Sequence, residues 1–444
     1  MPDLAAIFKA YDVRGRTDGE LDADAARRIG GAFVSWTGAS RIAIGRDCRL
    51  SSPLLAAALA EGAMGQGADV VDLGEIPTDV AYYYSGKENV PAAVVTASHN
   101  PPEWNGIKLC RAGAAPIGWD TGLKDIRAIA EAGPSAGGKG RQTRFDPLPG
   151  YVDHVIGIVE PAKLAPLHVV ADGGNGMAGT TLPVVFARLP ARLTGLYLEP
   201  DGTFPHHPAD PLRPENLTDL LDMMEDLRPD LGVAFDGDAD RAFFVDDRLR
   251  PLSGSTTTAL IGAWYVRKEP GARIVHNLIT SRAVAETIRS AGGEPVRTRV
   301  GHSFIKEIMA ETGAAFGGEH SGHYYFRDNF RADSGLLALL VLLQVISEAG
   351  RPLSELRRDY EPYAQSPEIN LAVGDQQQTM AAVERGITGG EVDHLDGLTV
   401  SWPDRWFNLR PSNTEPVLRL NVEAPDEAGV RQLVALVEDL AAPA

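Results

Sequence analysis

Short apolar runs separated by longer amphipathic stretches recur along the chain. Arg41-Ile-Ala-Ile-Gly45, Asp69-Val-Val-Asp-Leu73 and Ala92-Ala-Val-Val-Thr96 are too short for helices and are bounded by turn formers, so they predict buried strands, with a helix over Leu54–Gly65. A second unit follows with strands near Leu167–Ala171 and Leu231–Phe235. A third holds a strand at Ala272–His276 and a helix at Ala283–Ser290, and closes with a long apolar helix over Ser334–Ala349. The last quarter differs: strands at Glu368–Val373, Leu398–Ser401 and Val417–Val422 precede a helix at Glu427–Leu440. The alternation predicts an α/β protein of three similar mixed α/β domains plus a smaller C-terminal α+β domain, divided at 1–144, 145–250, 251–361 and 362–444. Gly133–Gly140, rich in Gly, Pro and Ser, predicts a linker or exposed loop.

Composition narrows this picture. A chain of 444 residues needs more than one core, and 44% hydrophobic with 23% charged residues is an ordinary globular balance. There is no apolar run long enough to span a bilayer, no secretory pattern at the N-terminus, and only Cys48 and Cys110, so a cytoplasmic protein without a membrane partner is expected. A formal charge of −18 argues against nucleic acid as a partner. It leaves room for an anionic small molecule met by local cations. Lysine is scarce, eight among 42 Lys+Arg, and three of the eight (Lys9, Lys108, Lys306) fall inside the motifs below.

Four loops carry chemistry. Thr96-Ala-Ser-His-Asn-Pro-Pro102 follows a strand, and its prolines block a helix, leaving Ser98 at a strand end. A free serine hydroxyl is a weak nucleophile and needs activation or prior modification. The downstream Asn105-Gly-Ile-Lys108 predicts a tight turn with a cation close by. In Phe235-Asp-Gly-Asp-Ala-Asp-Arg241 three carboxylates alternate, so Asp236, Asp238 and Asp240 can converge on one hard cation such as Mg²⁺. An EF-hand is excluded because Asp247 stands where that loop needs its glutamate.

Gly317-Gly-Glu-His-Ser-Gly-His323 offers Glu319, Ser321 and His323 for hydrogen bonding to adjacent hydroxyls, and the preceding His302 and Lys306 stand near a helix start. A zinc site at His320 and His323 lacks a second ligand pair. Arg410-Pro-Ser-Asn-Thr-Glu-Pro416 joins a guanidinium fork to two hydroxyls, a combination suited to phosphate.

One loop falls in each predicted domain, which implies a site in a central cleft that closes against water. Phosphoryl transfer from Ser98 to a substrate hydroxyl fits these groups, with Lys108 as the base if burial and nearby cations lower its pKa, and His323 or His99 as alternatives. A phosphatase with the same serine and metal, and a catalytically silent sensor, are the rival readings.

These motifs, together with Phe8-Lys-Ala-Tyr-Asp-Val-Arg-Gly15, Asp172-Gly-Gly-Asn-Gly176 and Pro200-Asp-Gly-Thr-Phe-Pro205, resemble the α-D-phosphohexomutase superfamily, in particular its bacterial phosphomannomutase/phosphoglucomutase branch, over essentially the whole chain. The resemblance implies Mg²⁺, a phosphorylated Ser98 that joins Asp236, Asp238 and Asp240 at the metal, and a hexose 1,6-bisphosphate intermediate that also serves as activator. It implies Lys108, Arg14 and His99 beside Ser98 in catalysis. Tyr11, Arg241, His302, Lys306, Glu319, Ser321 and His323 are expected to bind substrate. Arg410, Ser412, Asn413, Thr414 and Arg419 are expected around the non-reacting phosphate. Asn413 and His320, where related phosphoglucosamine mutases usually carry Gly and Gln, tilt the expected substrates towards mannose and glucose phosphates. The partners expected are small hexose phosphates, for a monomer or homodimer.

Overall fold

In the computed structural model, residues 3–134, 137–412 and 417–442 are described, with only the backbone of His302. Asn413 and Thr414 therefore lie outside the described residues. Four sheets follow one another along the chain. The first runs in the order Val13–Arg16, Trp104–Arg111, Ala92–Val95, Arg41–Arg46, Asp69–Glu75 and Gln142–Arg144, with the short Ala115–Pro116 paired to Trp104–Arg111. Its strands from Ala92–Val95 onward are parallel, whereas Trp104–Arg111 and Val13–Arg16 each run antiparallel to their neighbour. The second sheet (Ala242–Asp246, Leu231–Phe235, His168–Asp172, Arg192–Leu196) and the third (Glu294–Thr298, Arg273–Asn277, Phe316–Gly318, Tyr324–Phe326, Ala332–Asp333) repeat that mixture. The fourth is antiparallel throughout and is covered by helices Gln376–Gly386 and Glu427–Ala441.

The placement of the four loops follows from this topology. Each connects a strand to its antiparallel neighbour: Ala92–Val95 to Trp104–Arg111, Leu231–Phe235 to Ala242–Asp246, Phe316–Gly318 to Tyr324–Phe326, and Trp406–Pro411 to Val417–Ala424. In the three mixed sheets the loop leaves the C-terminal end of a strand with a parallel neighbour, where open α/β sheets bind ligands.

Helix Gly335–Ala349 is apolar all round, and its residues from Gly335 to Ile346 are buried, as such a helix must be. Ser334 caps it by accepting from the Leu337 backbone N–H, and Gly350 ends it in a left-handed turn. The helix belongs to one continuous apolar cluster that includes Val94, Val169, Phe235, Ile274 and Phe316, so the first three sheets share a core. The fourth has its own, built on Val383, Phe407, Leu420 and Val437. Polar contacts dock it on the third: Arg282 donates to the carbonyl of Pro403 (2.7 Å), and Val300 N donates to Asp396 Oδ2 (3.1 Å). Among the described residues no single helix is long and apolar enough to cross a membrane.

The expected turn at Asn105-Gly-Ile-Lys108 is a correction: these residues lie inside strand Trp104–Arg111. Asn105 is buried, and its amide donates to the hydroxyls of Ser51 (2.8 Å) and Ser52 (2.9 Å). Gly106 lets the flanking strands close: a Cβ there would stand 2.4 Å from the Val13 carbonyl oxygen and 2.7 Å from that of Thr96. Asn-Gly here serves strand packing rather than a turn, and sequence alone does not separate the two.

Candidate active site

Ser98 sits in a left-handed conformation (φ 52°), unusual for a residue with a side chain. Its N–H donates to Thr96 Oγ1 (3.0 Å), and its Oγ, 3.2 Å from His99 Nδ1, donates to Asp236 Oδ2 at 2.6 Å. Arg14 secures the same loop by donating to the Ala97 carbonyl (3.0 Å) and to Asn100 Oδ1, while Asp12 accepts from its Nε at 2.8 Å. The aspartate loop carries its own left-handed residue, Ala239 (φ 62°). The two loops touch at Gly237, where a Cβ would lie 2.4 Å from the Ser98 carbonyl oxygen. Only glycine permits that approach.

Asp236, Asp238 and Asp240 are buried, and an oxygen of each lies within 4.8 Å of the others. Asp238 Oδ1 and Asp240 Oδ1 are buried without a hydrogen-bond partner among the described residues. Unpartnered carboxylate oxygens in a water-poor site are costly, and a hard divalent cation answers that cost with the ligands it prefers. The residues fit such an ion. Asp240 also gathers with His323 and Asp333, but the all-oxygen set of three aspartates suits a hard cation better than one that includes an imidazole.

The charges around the triad explain its titration. Burial, with Asp240 and Asp238 adding to it, raises the Asp236 carboxyl to about 7 against the pull of Arg241. Burial also opposes ionisation of Asp240, but Lys108 and His323 outweigh it and bring its pKa down to about 2. Lys108 Nζ lies 2.6 Å from Asp238 Oδ2 and 2.5 Å from Asp240 Oδ2. Burial alone would lower the lysine, but these two carboxylates overcome it and hold its pKa well above the usual range. The expected lowering of Lys108 is thus reversed, because its nearest charges are anions. His99 has the opposite fate: burial, then Arg241 and Arg14, keep its imidazole neutral.

The third loop meets the second. Arg241 and His323 form a backbone bridge, Ala242 N donates to the Gly322 carbonyl (3.2 Å), and His323 Nε2 lies 3.6 Å from Asp240 Oδ1. Arg241 donates through Nε to Asp236 Oδ2 (2.8 Å), with its Nη2 3.5 Å from Ser98 Oγ. Glu319 is buried and accepts from Tyr325 Oη (2.7 Å) and Gly301 N (3.1 Å), while Ser321 Oγ lies 3.1 Å from His323 Nδ1. Tyr11 Oη reaches the Val300 carbonyl at 3.5 Å. Lys306, in the first turns of helix His302–Thr312, is buried, paired to Asp333 and held 4.1 Å from the centre of the Tyr82 ring. The backbone of His302 does begin helix His302–Thr312.

Arg410, next to last in strand Trp406–Pro411 of the fourth sheet, donates to Glu368 Oε2 at 2.8 Å, with Arg419 3.2 Å from the other carboxylate oxygen. A phosphate here would compete with Glu368, a partner the motif does not reveal. Burial lowers the His320 pKa, and the charges of Glu368 and Arg410 act on it too, so this end of the fourth sheet faces the 319–323 loop. Ser412 N donates to the Val417 carbonyl at 2.9 Å.

Two residues of the site escaped the motif reading. Thr78, the first residue of helix Thr78–Glu88, donates to Asp238 Oδ2 at 2.6 Å. Arg49 lies under the Ser98 loop, and four backbone carbonyls accept from it. Neither carries a local signal, since both partners lie far along the chain.

Comparison with known proteins places the chain among relatives that match end to end. Residues 5–136, 149–250 and 253–363 match the families described as phosphoglucomutase/phosphomannomutase, alpha/beta/alpha domains I, II and III, and residues 368–440 match the C-terminal domain of the same set. A phosphomannomutase of Salmonella typhimurium is 39% identical, the match covering 97% of this chain and 98% of the relative. A protein of Xanthomonas campestris pv. campestris named phosphohexose mutases is 38% identical over 95% of this chain and 96% of its own. The crystal structure of a phosphoglucomutase/phosphomannomutase family protein from Burkholderia thailandensis superposes with a TM-score of 0.91 at 34% identity, covering 99% and 97% of the two chains.

Proposed function

Because this chain belongs to the phosphoglucomutase/phosphomannomutase family, we propose that it interconverts hexose 1-phosphates and hexose 6-phosphates of mannose and glucose through a phosphorylated Ser98 and a hexose 1,6-bisphosphate. The segments 1–144, 145–250, 251–361 and 362–444 would each contribute one loop to the site. The observation that carries the reading is the 2.6 Å hydrogen bond from Ser98 Oγ to Asp236 inside a buried triad of carboxylates.

Asp236, Asp238 and Asp240, with an oxygen on Ser98, would hold Mg²⁺, which when bound neutralises charge on the transferring oxygens. Phospho-Ser98 loses its Oγ–P bond as a substrate hydroxyl oxygen forms the new O–P bond. His99 and Arg241 stand beside the departing serine oxygen, at 3.2 and 3.5 Å. The substrate hydroxyl gives up a proton and the departing serine oxygen takes one up; the neutral His99, beside that oxygen, can accept the first and supply the second as the Oγ–P bond breaks. Lys108 stays charged as long as Asp238 and Asp240 are paired to it, and once they are neutralised otherwise, burial pulls its pKa down and makes it a second acceptor. Glu319, Ser321 and His323 would take the sugar hydroxyls, Tyr11 and Arg14 would face the serine side, and Arg410, Ser412 and Arg419 the distal phosphate. Turning the bisphosphate end for end and repeating the transfer in reverse completes the exchange.

A coupled assay with mannose 1-phosphate, glucose 1-phosphate and glucosamine 1-phosphate, with Mg²⁺ and a hexose bisphosphate, tests this. Turnover of the first two, weak activity on the third, and loss of activity on adding EDTA or in Ser98→Ala are expected. Near-normal turnover by Ser98→Ala would overturn the assigned phosphoryl carrier.

A further inference from the structure

Arg49 has no side-chain exposure, and all five of its guanidinium N–H donors are used. Nε donates to Asp47 Oδ2 (3.1 Å), Nη1 to the carbonyls of Pro101 (2.7 Å) and Trp104 (3.1 Å), and Nη2 to the carbonyls of Ser98 (2.8 Å) and Asn100 (2.6 Å). One planar fork therefore gathers four carbonyls of a single loop, among them that of the serine itself. Asp47 is fixed in turn by the Ser52 hydroxyl at 2.5 Å and the Arg49 N–H at 3.0 Å.

The second sheet's loops complete the arrangement. The Phe204 ring lies over the guanidinium, 4.9 Å from its carbon to the ring centre. Phe204 is held in a left-handed turn (φ 49°) by its N–H donating to the Asp201 carbonyl at 2.9 Å, and Asp201 N donates to the Asn175 carbonyl at 2.8 Å. Gly202 presses directly on the arginine's segment, where a Cβ would sit 2.4 Å from the Cys48 carbonyl oxygen. The Pro200–Pro205 motif thus packs on the Arg49 segment, while Asp172–Gly176 supports it through the Asn175 carbonyl and also braces the aspartate loop, where a Cβ at Gly176 would lie 2.6 Å from the Gly237 carbonyl oxygen.

We propose that Arg49, covered by Phe204, is a positioning residue for phosphoryl transfer: it sets the left-handed turn that aims Ser98 Oγ at Asp236, and through Phe204 it ties that aim to the domain carrying the aspartates. This rests on Ser98 being the phosphoryl carrier. Lysine keeps the charge opposite Asp47, but its donors leave one point and cannot span four carbonyls.

The test is the single-turnover rate of transfer from phosphoenzyme to glucose 6-phosphate, counted per phosphorylated molecule by intact mass, in Arg49→Lys and Phe204→Leu. In Arg49→Lys that rate is expected to fall about 100-fold with KM within about three-fold, as for a reacting atom displaced by about an ångström. Phe204→Leu, which keeps the apolar cover and loses the cation–π contact, is expected to fall about five-fold with KM and melting temperature near normal. A purely structural role would lower the melting temperature and the yield of phosphoenzyme but leave the rate per phosphorylated molecule unchanged, and that result overturns the inference. If Arg49→Lys does not fold, Phe204→Leu decides alone by the same criterion. Wild-type enzyme that takes up no phosphate on Ser98 from glucose 1,6-bisphosphate sinks the functional reading, and this inference with it. A phosphorylated wild type with unaffected variants sinks only the inference.

Discussion

Asp79 offers a quantitative test of how the first three domains are joined. It lies in the first turn of helix Thr78–Glu88, fully buried, and accepts from Ser334 Oγ at 2.5 Å and from Tyr151 Oη, while its Oδ1 has no hydrogen-bond partner among the described residues. Burial raises its pKa from 3.8 to about 7, the two hydroxyls oppose this, and the charges of Asp240 and Asp333 add to it. The folded state therefore keeps a proton on Asp79 that the unfolded chain gives up near pH 4. Between those values the folded state binds more protons, so stability falls as pH rises, steepest at about 1.4 kcal/mol per pH unit, and the contribution is lost above pH 7. The full difference is about 4 kcal/mol. Asparagine is neutral throughout and retains an acceptor for both hydroxyls. The unfolding free energy of Asp79→Asn relative to wild type should therefore climb by about 4 kcal/mol from pH 4 to pH 8, the titrations of other groups cancelling in the difference. Urea unfolding followed by circular dichroism measures it, and amide exchange in helix Gly335–Ala349 reports the shared core apart from the fourth domain. Two pH profiles that run parallel would mean that Asp79 is ionised in the folded protein and that the reasoning is wrong.

Gly237→Ala places a Cβ 2.4 Å from the Ser98 carbonyl oxygen, so kcat should fall by about 100-fold while circular dichroism stays native. Wild-type kcat would show that the two loops separate without cost. Glu368→Gln removes the carboxylate that Arg410 and Arg419 share, so KM for glucose 1-phosphate should drop several-fold and depend more steeply on ionic strength. An unchanged KM would detach these arginines from substrate.

Much of the architecture was legible because its signals are local. Apolar runs bounded by turn formers marked the strands, and Gly335–Ala349 announced its burial by having no polar face. The aspartate triad was legible for the same reason: three like charges at alternate positions need a common partner wherever the chain goes. Harder to read was whatever depends on a partner distant in sequence. Asn105-Gly106 has the composition of a turn and becomes a strand because Ser51, Ser52 and two neighbouring strands compete for it. The carboxylates that pair with Lys306 and Arg410, Asp333 and Glu368, were likewise not legible from their motifs.

Lys108 shows why these misses share a cause. Its motif supplies a buried amine, and burial alone lowers an amine's pKa. The sign of the net shift belongs to Asp238 and Asp240, 130 and 132 residues away, at 2.6 and 2.5 Å. Desolvation depends on how much protein surrounds a group, which hydrophobic patterning forecasts. Coulomb terms at contact distance depend on which side chain arrives, and only the fold decides that. The protonation state of this site is therefore a property of the joint between the first and second sheets, and the loops meet there with Gly237 against Ser98 and Thr78 against Asp238. A change at that joint should alter the acid–base behaviour of Lys108 even when every residue of its own motif is kept.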